Sequence, residues 1–173
     1  MRKIGIIAVL ALLVTALAAV PALAATTFNP AAAPTGTHVQ TGTPTCTITA
    51  NGGVICSTYE LAGVGNTNAT ATLVATYSAT VDCRNHGGQI VESHSQTTRV
   101  SSTTGALSPK NGRLTVPTLS ASRPTNAQFT ALATCPNPNW TAEIRPGTIA
   151  LTSFTYTLHF AGFTGNYITI TGP

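Results

Sequence analysis

Charged residues are scarce in this sequence: they make up 7% of the chain, with eight lysines and arginines against four aspartates and glutamates. Two of the cations, Arg2 and Lys3, stand at the N-terminus, and no basic run occurs in the remainder. Nucleic-acid binding needs clustered cations that contact phosphate groups. The composition therefore argues against a nucleic-acid partner.

Cysteines are also few, and no two of the four lie close enough to form a C-x-x-C motif. Zinc and redox sites in small proteins usually contain such close pairs. An even number of well-separated cysteines is instead typical of disulfides in exported proteins. We expect two disulfides, and the cysteine count alone leaves three pairings open.

Only one long apolar run occurs, from residue 4 to residue 20. Two cations precede it, Pro21 follows it, and the small-x-small triplet Ala22-Leu23-Ala24 comes next. This order is typical of a secretory signal peptide with its cleavage site rather than of a membrane anchor. The sequence therefore predicts a signal peptide at residues 1–24 and a secreted, extracellular mature chain without a membrane span.

The remainder of the chain divides into a leader and one domain. Residues 25–45 contain three prolines among Ala, Thr and Gly without apolar periodicity, which predicts a flexible leader. Residues 46–173 are long enough to bury a single core. Threonine makes up about a fifth of the chain, and because β-branched residues favour strands, the composition predicts an all-β domain.

The segment CTITANGGVIC predicts a tight hairpin. If Thr49 pairs with Gly53, the loop Ala50-Asn51-Gly52 suits a type I turn closed by a glycine bulge. The same register places Cys46 directly opposite Cys56, near the distance of a cross-strand disulfide. We therefore expect these two cysteines to be bonded to each other.

Two further segments alternate apolar and polar residues and end in the remaining cysteines. Residues 72–83 form the clearer one and end in Cys83, whereas residues 127–135 end in Cys135. A period of two is typical of strands with one buried face. If the two strands run in the same direction in facing sheets, Cys83 and Cys135 meet across the core.

The C-terminal stretch from residue 148 predicts a final hairpin. Its apolar residues change parity after Leu151, so we expect a β-bulge near residues 152–153. The segment GRLTVPTL predicts a short strand, and its Pro117 indicates the edge of a sheet. About seven strands at this turn spacing, with a disulfide between facing sheets, predict an antiparallel β-sandwich.

The separation of Cys83 and Cys135 resembles the arrangement in immunoglobulin-like domains, in which a disulfide joins the two sheets. The leader, the Thr-rich strands and the CPNPNW loop are similar to those of small secreted proteins of uncharacterised function from high-GC Gram-positive bacteria. These resemblances imply an immunoglobulin-like sandwich in an extracellular location. The C-x9-C hairpin also resembles that of secreted antibiotic-carrier apoproteins of actinomycetes, although their short second disulfide loop has no counterpart here.

The stretch VDCRNHGGQIVESHS is the densest polar cluster, with Asp82, His86, Glu92 and His94. Carboxylates and imidazoles that converge can bind a divalent metal, and Asp82, His86 and His94 are the candidate ligands. The turn residues RNHGG and the two-residue spacing of Glu92 and His94 instead indicate a strand end, a turn and an exposed edge strand. We favour this second interpretation and expect neither a metal nor another cofactor.

No catalytic constellation stands out. Asp82 could formally belong to a Ser-His-Asp triad, but no G-x-S-x-G motif marks an activated serine. A glycosidase needs two carboxylates at one cleft, and nothing in the sequence relates Glu60, Glu92 and Glu143 in space. We therefore expect a non-enzymatic protein without catalytic residues.

Three aromatic residues in or near predicted loops are candidates for binding: Trp140, Tyr59 and Tyr167. Loops at one end of a sandwich commonly carry recognition, and Trp140 could stack on a sugar or pack against a protein. The sequence thus favours a secreted binding or structural module whose partner is a cell-surface glycan or an extracellular protein. A small-molecule carrier, a protease inhibitor and a hydrolase are the alternatives.

Overall fold

The computed structural model describes residues 24–173, and almost all of its regular structure is β-strand. The predicted signal peptide lies outside these residues except for Ala24. The described part contains one α-helix and twelve strands: β1 (Ala25–Phe28), β2 (His38–Thr41), β3 (Cys46–Ile48), β4 (Val54–Cys56), β5 (Tyr59–Ala62), β6 (Ala69–Arg84), β7 (Ile90–Thr103), β8 (Arg113–Val116), β9 (Leu119–Ala121), α1 (Asn126–Thr130), β10 (Thr141–Ile144), β11 (Ala150–Phe160) and β12 (Ile168–Gly172).

The strands form three antiparallel sheets. The largest has six strands in the order β1-β12-β11-β6-β10, with β7 paired to the other edge of β6. The second sheet has the order β2-β5-β8, and the third has the order β3-β4-β9. The prediction of an antiparallel all-β fold is confirmed, although twelve strands replace the expected seven.

Strand β6 is the longest strand and confirms the period-two prediction for residues 72–83. Its buried face includes Leu73, Tyr77, Val81 and Cys83, while threonines and Ser78 occupy the other face. Because β6 pairs with β7 on one side and with β10 and β11 on the other, this face lies at the centre of the largest sheet. The strand therefore supplies the middle of the core.

The predicted bulge and the predicted edge strand are both present. In β11, the register against β6 shifts between Leu151 and Ser153, which brings Phe154 and Tyr156 onto the buried face. Strand β8 ends directly before Pro117 and lies at the edge of its sheet. Both features follow from local sequence signals.

The first hairpin also has the predicted geometry. Cys46 pairs with Cys56 in register and is bonded to it. The amide of Thr49 donates to the carbonyl oxygen of Gly53 at 2.8 Å, and Gly52 has a φ of 84°. A glycine is needed at this position because side-chain-bearing residues seldom adopt positive φ.

The predicted strand at residues 127–135 is wrong. Residues 126–130 form helix α1, which begins with a capping box: the amide of Gln128 donates to Thr125 Oγ1, and the Gln128 side chain accepts from the Thr125 amide. A helix forms here instead of a strand because the capping box provides hydrogen-bond acceptors for two free amides at once. The Cys83–Cys135 disulfide is nevertheless present, and it joins β6 to the segment after the helix rather than to a second strand.

Residues 25–45, predicted to be a flexible leader, contain regular structure. Strand β1 pairs with β12, and β2 pairs with β5. Ala32, Ala33 and Pro44 are buried. Pairing with strands of the domain explains this order, because hydrogen bonds to a preformed strand do not require an apolar period in the added one.

Buried side chains of all three sheets form one core. Leu73 and Tyr156 come from the six-stranded sheet, Leu61 from β5 and Val54 from β4. Within residues 24–173, no helix is long and apolar enough to cross a membrane.

Tyrosine hydroxyls connect the sheets inside this core. The hydroxyls of Tyr59 in β5 and Tyr156 in β11 are 2.7 Å apart, and Tyr77 Oη donates to the carbonyl oxygen of Ala121 in β9 at 3.4 Å. Burial raises the pKa of Tyr156 to about 12 and that of Tyr59 further. Both hydroxyls are therefore protonated at neutral pH and act only as hydrogen-bonding groups.

We expect Tyr59→Phe to lower the free energy of unfolding by about 1–3 kcal/mol, because it leaves the hydroxyl of Tyr156 buried without this partner. Tyr156→Phe should have a similar effect for the same reason. The double variant should lose less than the sum of the single losses, since neither hydroxyl then remains. Urea unfolding followed by the fluorescence of Trp140 measures all three variants, and additive losses would contradict the coupling.

Candidate functional site

The turn between β6 and β7 is built by Asn85. Its side-chain oxygen accepts from the amides of Gly87 and Gln89, both at 3.0 Å, and Gly88 has a φ of 76°. His86 lies exposed in this turn. The predicted sequence of strand end, turn and strand is confirmed.

Asp82 is buried, although it faces away from the core. Its side chain is 2% exposed, and it is the one charged residue among residues 24–173 that is buried. Arg145 donates to both of its carboxylate oxygens, at 2.8 and 3.2 Å, and Ser93 Oγ donates at 2.7 Å. The carboxylate is buried on this outer face because Arg145 and Ser93 cover it.

The hydrogen bonds from Arg145 and then from Ser93 lower the pKa of Asp82 and outweigh the opposing effect of burial. A carboxylate with a lowered pKa is a poor general base at neutral pH. Asp82 therefore acts here as an ion-pair partner that holds the end of β10 against β6.

Each of the four carboxylates of the chain has a nearby cationic or imidazole group. The exposed pair Arg84–Glu143 lies beside Asp82, with Nε and Oε2 2.7 Å apart. The remaining pairs are Asp82–Arg145 at 2.8 Å, Glu60–Arg113 at 3.2 Å and Glu92–His94 at 3.3 Å. A glycosidase would need two carboxylates at one cleft. The three glutamates instead have three different partners.

Glu92 and His94 share a face of β7, as their spacing predicts, but this face is the core side of the sheet. Their register partners in β6 are Cys83 and Val81. Both side chains are only about half buried, because β7 is an edge strand. Within residues 24–173, no group of three His, Cys, Asp or Glu side chains is arranged to hold a metal, so Asp82, His86 and His94 do not form a common ligand set.

Two of the three aromatic candidates for binding are core residues. Tyr59 and Tyr167 are each 4% exposed. Tyr59 bonds to Tyr156, whereas Tyr167 packs its ring against Phe160 and donates its hydroxyl to the carbonyl oxygen of Thr37 at 3.2 Å. Both residues lie next to loops, as predicted, but their rings are buried in the core.

Trp140 remains a candidate for binding. It is half buried and stands directly before β10, at the end of a turn in which the Asn137 side chain accepts from the amide of Asn139 at 2.9 Å. The amide of Trp140 also donates to the carbonyl oxygen of Asn137 at 3.0 Å. The ring is thus held on an ordered turn and is partly open to solvent.

The outer face of the six-stranded sheet carries a regular array of hydroxyl groups. One cross-strand row has a threonine on each of five neighbouring strands, in the order Thr27, Thr169, Thr157, Thr72 and Thr103. With strands about 4.8 Å apart, this row is about 19 Å long. All five side chains are at least partly exposed.

The next row along the strands continues this face with Thr171, Thr155, Val74 and Ser101. We call the surface formed by these two rows the hydroxyl face. It contains no charged side chain, and its hydroxyls are hydrogen-bonding groups. Three of them already donate within the protein: Thr27 to the carbonyl oxygen of Thr169 at 3.2 Å, Thr72 to Thr103 Oγ1 at 3.4 Å, and Thr103 to the carbonyl oxygen of Ala71 at 3.2 Å. Sequence reasoning identified the polar parity of β6 but not this face, because the rows depend on the register of distant strands.

An open cavity of about 370 Å³ lies beside β5 and β8, lined in part by Glu60, Lys110 and Arg113. Lys110 and Arg113 stand opposite each other across an Asn111-Gly112 turn, in which each amide donates to the other's carbonyl oxygen at 2.8 and 3.0 Å. Like charges directly opposite each other repel. The cavity therefore favours an anionic group, partly offset by Glu60.

Comparison of the chain with protein-family models, with curated proteins and with solved structures found no match in any of the three. The functional argument therefore depends on the geometry of the chain itself.

The lowered pKa of Asp82 predicts a pH dependence of stability. The contribution of Asp82 is complete above the ordinary aspartate pKa of about 4 and is lost as the pH falls through the lower pKa of the folded state. Asp82→Asn should be less stable than the parent protein at neutral pH, and the difference should shrink in acid. Glu143→Gln is the matched control, because its carboxylate is exposed; equal pH profiles for the two variants would contradict the assignment.

Proposed function

We propose that the chain is a secreted, non-enzymatic β-sandwich module that binds a neutral, hydroxyl-rich polymer such as a cell-surface glycan through the hydroxyl face. The observation that carries the proposal is the uncharged row of Thr27, Thr169, Thr157, Thr72 and Thr103. Hydroxyls of the protein can exchange hydrogen bonds with hydroxyls of the polymer, and threonine methyl groups can contact its C–H surfaces.

The state of the carboxylates supports a non-enzymatic role. Asp82 accepts hydrogen bonds from Arg145 and Ser93, and Arg84 lies 2.7 Å from Glu143. General acid–base catalysis depends on groups whose pKa lies near the working pH, whereas the pKa of Asp82 is lowered. These groups are engaged in holding strands together.

The packing of the sheets supports the β-sandwich proposal, whereas its immunoglobulin-like form rests on the sequence resemblance, because the Cys83–Cys135 disulfide does not join two sheets. One core draws on all three sheets, and the bond between Tyr59 and Tyr156 joins two of them. Secretion is supported by the predicted signal peptide and is compatible with the two disulfides, since disulfides persist in oxidising compartments. The resemblance to small secreted proteins of high-GC Gram-positive bacteria agrees with the same location.

Sedimentation of the mature protein with insoluble cellulose, chitin and purified bacterial cell walls tests this proposal. We expect binding to at least one polymer, and Thr157→Lys should reduce it by about tenfold, because a charge at the centre of the row must be desolvated on contact. Thr47→Lys is the matched control: Thr47 is exposed on β3, away from the hydroxyl face, and its substitution should leave binding unchanged.

The fluorescence of Trp140 distinguishes binding at the hydroxyl face from binding at the Trp140 turn. Trp140 lies outside the two threonine rows, so binding at the hydroxyl face should leave its emission unchanged. A shift of emission together with unimpaired binding by Thr157→Lys would overturn the hydroxyl face in favour of the Trp140 turn.

A second candidate function, small-molecule binding, is favoured by the cavity at Glu60, Lys110 and Arg113. Its volume lies within the range of ligand pockets, and its opposed cations suit a carboxylate or sulfate group. Titration calorimetry with glucuronate and with uncharged glucose would test it. We expect heat with glucuronate only, and Lys110→Gln should weaken it severalfold; no heat with either would exclude this ligand class.

A further inference from the structure

The largest sheet ends in an unusually long free edge. Among residues 24–173, strand β7 has 14 residues and pairs only with β6, whereas β1 at the opposite edge has four. Free strand edges are templates for pairing with another chain, and proteins usually keep them short or protect them.

Hydrogen bonding shows which residues of β7 face this edge. The amide of Thr104 donates to the carbonyl oxygen of Ala71, so residues of β7 with even numbers bond to β6. The hydrogen bond of Thr80 agrees with this assignment, because its carbonyl oxygen accepts from the amide of Arg145 on the other side of β6. Six residues of β7 therefore direct their amide and carbonyl groups outwards: Ser93, Ser95, Thr97, Arg99, Ser101 and Thr103.

Nothing in the described part of the chain covers these groups. Within residues 24–173, no hydrogen bond reaches the backbone of the six residues, and the side chain of each is exposed. Several of the usual protective features are missing, since β7 has no proline and no lysine, and its register with β6 is regular from Glu92 to Thr103. The inward-facing Glu92 and His94 are the protective feature that β7 retains. Arg99 is the one charged side chain among the six.

We propose that β7 pairs antiparallel with β7 of a second copy, so that two six-stranded sheets join into one. Selective binding of a foreign strand would require pockets for its side chains, whereas this edge offers mainly Ser and Thr hydroxyls. Self-pairing needs only a register in which the same side chains are compatible with each other.

Among the registers that the geometry allows, we place the two-fold axis at Thr97. Outward-facing residues must pair with outward-facing residues, so the two-fold axis passes through a residue rather than between two. A centre at Thr97 aligns residues 91–103 of both copies, about 40 Å of strand, and sets Arg99 opposite Ser95 of the partner. A centre at Arg99 would oppose two guanidinium groups and is disfavoured.

Sedimentation equilibrium of the mature protein, from low micromolar to near-millimolar concentration, tests the pairing. We expect a monomer–dimer equilibrium, and Thr97→Pro should raise Kd by about tenfold or more, because it removes an outward amide in each copy. Proline is tolerated at an edge where its missing amide would face solvent. A monomer at every concentration would overturn the proposal.

Three further variants, one of them a control, keep the test decisive if Thr97→Pro fails to fold. Thr97→Lys should weaken the dimer, because two ammonium groups then meet at the axis, whereas Thr155→Lys adds the same charge on the exposed face of the interior strand β11 and should not. Thr97→Cys should form an intermolecular disulfide on oxidation. A dimer that withstands Thr97→Lys, or a Thr97→Cys protein that does not crosslink, would refute this edge as the interface.

Discussion

The alternation of side chains along β6 is the constraint on which the rest of the structure depends. Its odd-numbered residues fill the core and include Tyr77 and Cys83, while its even-numbered residues form the outer face and include Thr72 and Asp82. Three other strands take their register from it. A slip of one residue would bury the threonines and expose the core, so the hydroxyl face, the ion pair and the disulfide depend on one register.

The chain uses hydroxyl groups where many proteins use charges. On the outside, threonines solvate a broad sheet face; inside, Tyr59 and Tyr156 satisfy each other between two sheets. The few carboxylates are concentrated where strands end, as Asp82 and Glu143 lie in register on β6 and β10. Charge in this molecule therefore serves mainly to position neighbouring elements, and its broad surfaces are neutral.

The parts of the fold with local signals were predictable from the sequence. The Cys46–Cys56 hairpin and the bulge in β11 each follow from a few adjacent residues. Helix α1 was missed although Thr125 and Gln128 have the spacing of a capping box, because the alternation of Ala and Phe around Phe129 suggested a strand. The burial of Asp82 had no local signal, since Arg145 lies 63 residues away.

The bond between Cys83 and Cys135 closes a covalent loop that contains β7, β8, β9 and α1. This loop includes exposed turns, such as the one around His86, where a protease could cut. A single cut there would leave two polypeptides that are still joined through their sulfur atoms and still paired by their strands. Such a nicked molecule would keep its shape and gain only the mass of one water molecule, and its two polypeptides would separate only after reduction and denaturation.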